Sequence, residues 1–111
     1  MGKIRIQSAA ALLSLAALLG TAHAQALDPS AQRGLNFVRT NCARCHAIDK
    51  LTPSPLTVAP PFRDLHKRYS IESLEEALGE GIVTGHPTMP EFRLDPGQIA
   101  DLIAFFKTLE R

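Results

Sequence analysis

This chain is short of several things, and each shortage narrows its chemistry. Only two cysteines occur in 111 residues. A structural zinc site wants four ligands, and with the four histidines scattered along the chain no such set can be assembled from the sequence. Positive charge is scarcely in excess: 12 basic residues face 11 acidic ones. That balance excludes a nucleic-acid binder by charge, and no polybasic patch marks a membrane surface. No apolar run reaches the roughly 20 residues of a spanning helix. No strand-rich run flanks the cysteines, so a thioredoxin-like dithiol lacks its βαβ setting. Internal repeats are missing, as are low-complexity segments beyond the first 24 residues. Methionine is almost absent too, since Met89 is the only one besides the initiator.

The first 24 residues read as a secretory leader. Lys3 and Arg5 form a charged start, Ala9 to Leu19 an apolar stretch broken only by Ser14, and Ala22-His23-Ala24 a small-residue cleavage site before Gln25. The expected mature domain is residues 25–111, in the bacterial periplasm, with no stable membrane anchor after cleavage. Removing Lys3 and Arg5 leaves ten basic against 11 acidic residues, a net charge of −1. A domain of this size has little core of its own.

What the chain does have is Cys42-Ala43-Arg44-Cys45-His46. A C-x-x-C-H run reads as c-type haem attachment. One helical turn brings Cys42 and Cys45 to neighbouring positions on one face, where each thiol can bond one vinyl group of a haem. His46 follows directly and can bind the iron from below. A plain disulfide at this spacing would be strained.

Asp28-Pro29 reads as the N-cap and first residue of a helix running to Asn41, with Leu35, Phe37 and Val38 as its apolar positions. Gly34, costly in a helix interior, signals a close backbone neighbour, expected to be the last helix near Leu102, Ile103 or Phe106. Prolines 53 and 55 then end helical structure. Leu56-Thr57-Val58 reads as a short extended piece leading to Ala59-Pro60-Pro61-Phe62. A metal-bound histidine normally donates its other N–H to a backbone carbonyl, and a proline carbonyl in this stiff loop suits that role, Pro60 before Pro61.

Phe62 to Tyr69 reads as a short helical turn. Ser70 caps a helix over 71–78, ended by Gly79 or Gly81, with Glu72, Glu75 and Glu76 on its wet face. In Thr84-Gly85-His86-Pro87-Thr88-Met89-Pro90, Met89 offers a soft thioether to the face of the iron opposite His46. Iron held by His and Met is the cytochrome c ligand pair. His86 is expected to be held off the iron by the loop that Pro87 and Pro90 stiffen, and to swing in if Met89 is removed or the loop is loosened. Asp95-Pro96-Gly97-Gln98 resembles a capping box, opening a last helix with Ile99, Leu102, Ile103 and Phe106 at helical spacing.

Taken together the chain resembles a small class I bacterial cytochrome c, over nearly all of residues 25–111. Gly34, Phe37 and Val38 match the family's first helix. Cys42, Cys45 and His46 match its attachment motif, Pro60 the carbonyl behind the proximal histidine, Met89 the distal ligand, and residues 101–105 the last helix. The resemblance implies an all-α fold, three or more helices wrapped round one covalently bound haem c. It implies a monomeric carrier of single electrons between donor and acceptor proteins, with no catalytic residues and no nucleic acid. Two other readings stand beside it: a haem enzyme or gas sensor with an open distal position, and a cytochrome subunit of an oxidoreductase complex. Family members with many lysines round the haem edge differ from this mature chain, which keeps only Lys50, Lys67 and Lys107.

Overall fold

The computed structural model describes residues 25–82 and 88–110, with Gly2 and Gly20. The rest of the expected leader and His86 lie outside the described residues. Among those described, the chain is helical without strands: α1 (Pro29–Asn41), a 3-10 helix (Phe62–Lys67), α2 (Ile71–Glu80) and α3 (Pro96–Leu109). No helix among them is long and apolar enough to cross a membrane.

Each helix starts where its cap places it. The Asp28 carboxylate accepts from Ala31 N at 3.0 Å, ahead of Pro29, satisfying an amide that has no partner within the helix. Ser70 Oγ accepts from Ser73 N at 3.1 Å. Asp95 and Gln98 close a reciprocal box, at 2.9 and 3.1 Å. α2 runs past Leu78 to Glu80. Gly81 ends it, with φ of 94°, a backbone conformation that glycine adopts without a Cβ penalty.

The core lies between α1 and α3. Val38 of α1 shares one buried cluster with Ile99, Leu102, Ile103, Phe105, Phe106 and Leu109 of α3, completed by Phe62, Leu74 and Leu78. Gly34 lies at the helix crossing, as its sequence position suggested, but against Asp101 and Phe105 rather than Leu102, Ile103 or Phe106. A Cβ there would collide with the Asp101 carbonyl oxygen and stand 2.8 Å from Phe105 Cβ. Glycine lets the backbones themselves touch, so the contact falls on the backbone of α3 beside the apolar ridge.

A charged clamp closes the same crossing. Arg33 Nε and Nη2 donate to the two Asp101 carboxylate oxygens, each at 2.8 Å, and Ser30 Oγ donates to Oδ1 at 2.6 Å. These bonds hold the Asp101 carboxyl below its usual range, the Arg33 hydrogen bond most and Ser30 next. A folded pKa below the unfolded one gives stability that is complete above the ordinary carboxylate range and lost as pH falls through the folded value. The thermal midpoint of the wild type is therefore expected to converge on that of Asp101→Asn as pH is lowered from 7 towards 2. A constant difference over that range would show that the clamp contributes nothing through charge.

Between α1 and the 3-10 helix the extended reading of residues 56–58 fails. Ala59 N donates to Leu56 O at 2.9 Å, closing a turn. The β-branched Thr57 and Val58 favour extended backbone, but among the described residues there is no strand to pair with them. The chain must instead reverse to bring Pro60 back to His46.

Candidate functional site

α1 delivers the motif. Cys42 caps the helix, its N–H donating to Val38 O at 2.8 Å. Cys45 N and His46 N then both donate to Cys42 O at 3.0 Å. The backbone thus makes one further turn, bringing residues 42, 45 and 46 together. Both cysteines are free thiols, half-buried. Burial pushes the Cys42 thiol up to about 11, with a smaller push from Cys45, so this sulfur is protonated at neutral pH.

His46 is oriented from fourteen residues further on. Its Nδ1 lies 2.8 Å from Pro60 O. A carbonyl only accepts, so Nδ1 carries the hydrogen and Nε2 keeps a lone pair. The loop between the two residues is tied at several points. Leu56 N donates to Cys45 O at 3.1 Å, Ala47 N to Ser54 Oγ at 3.0 Å, and Phe62 N to Ala47 O at 3.0 Å. Arg63 Nη1 donates to Thr52 O at 2.8 Å and to Asp49 O at 3.3 Å. The Asp49 carboxylate takes Thr52 Oγ1 and the amides of Thr52 and Leu51, which lower its pKa to about 2.

Met89 is half-buried, in a turn before Pro90. Before it, Gly81 lies beside the Glu91 carboxylate, where a Cβ would stand 2.8 Å from Oε1. Three residues beyond Met89, Phe92 packs edge-on against Phe37 of α1, centroids 6.1 Å apart. That contact anchors the segment to the helix carrying Cys42. Among the described residues no group of three or more His, Cys, Asp or Glu side chains could hold a bare metal ion.

Three contributors escaped the sequence reading: Ser54, Arg63 and Phe62. The Phe62 ring lies against His46 with centroids 4.8 Å apart. Its position directly after Pro60-Pro61 was the one available signal. Two grooves, of about 460 and 660 Å³, lie elsewhere, around Leu27 and Lys50, and include neither cysteine, His46 nor Met89.

The family model described as Cytochrome c matches residues 31–110. A cytochrome c-553-like protein of Synechocystis sp. is 32% identical over 85 residues, covering 76% of this chain and 73% of the relative. No solved structure matches.

Proposed function

Since this chain belongs to the cytochrome c family, with its covalently bound haem c, we propose that it is a periplasmic monohaem carrier. It passes single electrons between redox partner proteins through an iron ligated by His46 and Met89. Bound haem supplies the one-electron chemistry, its iron alternating between ferrous and ferric. The chain's residues fit that group. Cys42 and Cys45, on one backbone turn, would hold it by thioether bonds, His46 by Nε2 and Met89 by sulfur.

The observation that carries this reading is the 2.8 Å bond from His46 Nδ1 to the Pro60 carbonyl. It fixes the ring orientation and the tautomer, with Nε2 available to a metal. Without it the ring would be free to take either tautomer. The Met89 assignment is supported by ligand chemistry: a thioether is a soft, weak ligand, and one on haem iron raises the reduction potential. The ring contact of Phe92 with Phe37 holds the chain three residues after Met89 against α1, which lowers the entropy lost when Met89 is ordered as a ligand.

The spectrum of the oxidised protein tests the ligand pair. The wild type is expected to show the weak long-wavelength absorption of a methionine–Fe(III) bond and to bind carbon monoxide slowly when reduced. Met89→Ala is expected to lose the band, lower its reduction potential and bind carbon monoxide rapidly. Rapid binding by the wild type would favour an enzyme or gas sensor with an open distal position. The exported protein is expected to begin at Gln25, as intact-mass measurement would show.

A further inference from the structure

Phe62 belongs to no motif, yet it is tied to His46 in two ways. Its ring packs against the imidazole with centroids 4.8 Å apart and planes inclined by 34°. Its backbone N–H donates to the carbonyl of Ala47, the residue after His46. On another side the Phe62 ring meets Phe106 of α3, centroids 5.1 Å apart and planes at 74°, edge to face. Both phenylalanines are buried, at 8% and 7% exposure.

The hydrogen bond to Pro60 fixes one atom of the imidazole. A single hydrogen bond tolerates a broad range of angles, so by itself it leaves the ring some rotation about its Cβ–Cγ bond, a line that passes close to Nε2. A flat side chain packed against the ring removes that freedom, because rocking brings the imidazole into the phenyl ring or opens a gap beside it. The phenyl ring is itself wedged by an aromatic pair in a favoured edge-to-face geometry. The order of contact is therefore α3, Phe106, Phe62, His46.

We propose that Phe62 is a positioning residue for His46: it sets the rotation of the imidazole plane about the axis through Nε2 and transmits the packing of α3 to that nitrogen. The proposal rests on the reading of His46 as the iron ligand. A leucine at position 62 would fill much of the volume but present no flat face. A purely structural role would change stability and leave the imidazole orientation alone.

Proton NMR of the oxidised holoprotein separates these roles, because the plane of an axial imidazole governs the order of the hyperfine-shifted haem-methyl resonances. Phe62→Leu is expected to change that order, and Phe62→Tyr to keep it. Leu78→Ala, which truncates the same buried cluster from α2, is expected to lower the thermal midpoint with the methyl order unchanged. Phe106→Leu, which loosens the wedge but leaves Phe62 in place, should shift the resonances in the same direction as Phe62→Leu and by less. It serves as the deciding variant if Phe62→Leu does not fold. An unchanged order in Phe62→Leu, or in Phe106→Leu where that variant decides, overturns the proposal while the shifted imidazole signals of His46 persist. Absence of those imidazole signals from the wild type overturns the ligand assignment and the proposal with it.

Discussion

A protein carrying both Cys42→Ala and Cys45→Ala is expected to lose all of its haem to acidified organic solvent, while the exported wild type keeps a haem-sized mass adduct on the polypeptide. The loss should be complete because no other cysteine exists to form a thioether. Each single variant is expected to retain the adduct through one bond, in lower yield. The double variant should also be poorly folded, since the porphyrin is a large apolar body in a domain with little core of its own. A wild type without the adduct, recovered from the exported fraction, would remove the basis of the functional reading.

Gly34→Val is expected to be the most destabilising single substitution outside the motif. Its Cβ collides with the Asp101 carbonyl oxygen and lies 2.8 Å from both the Asp101 carbonyl carbon and Phe105 Cβ. Those atoms belong to the backbone and the first side-chain carbon of a helix, so no rotamer change relieves the clash. α1 and α3 must separate, which also stretches the Arg33–Asp101 clamp. Overpacking costs about 1–3 kcal/mol and sometimes more; a collision with backbone belongs at the top of that range, on the order of a 10–20 °C fall in thermal midpoint for a domain of this size. Gly79→Ala is the matched control. Its Cβ would meet only Ile99 Cδ1, at 3.7 Å, ordinary contact, so the gain in helix propensity of up to about 1 kcal/mol should raise the midpoint. Equal midpoints for Gly34→Val and the wild type would mean that the helices do not cross at this glycine.

Helix boundaries were the most legible feature, because caps are local. Asp28-Pro29, Ser70 and Asp95 to Gln98 each carry their hydrogen-bonding partner within three residues, so residue order alone places them. The apolar face of α3 was legible for the same reason. Register across the α1–α3 crossing was not: periodicity says which face is buried, and the neighbour of Gly34 proved to be Asp101 and Phe105. The turn at residues 56–59 was misread because β-branched propensity is weaker than the demand of a chain that must return to His46. The Pro60 carbonyl was reachable from the sequence through what an imidazole ligand requires of its second nitrogen. The Phe62 and Arg63 contacts, 16 and 11 to 14 residues from their partners, follow from the path of the loop, which no local pattern encodes.

The clamp between Arg33 and Asp101 joins residues 68 positions apart, and its consequence concerns insertion. The entropy of closing a loop grows only with the logarithm of its length, about 0.6 kcal/mol for each doubling. Extra residues placed at the exposed junction near Tyr69, between the 3-10 helix and α2, cost the helix crossing little. At Gly34 a single added carbon forces two helices apart. The domain is permissive in length and strict in volume, so homologous chains can diverge widely in their connections while the glycine contact between the first and last helices admits almost no variation.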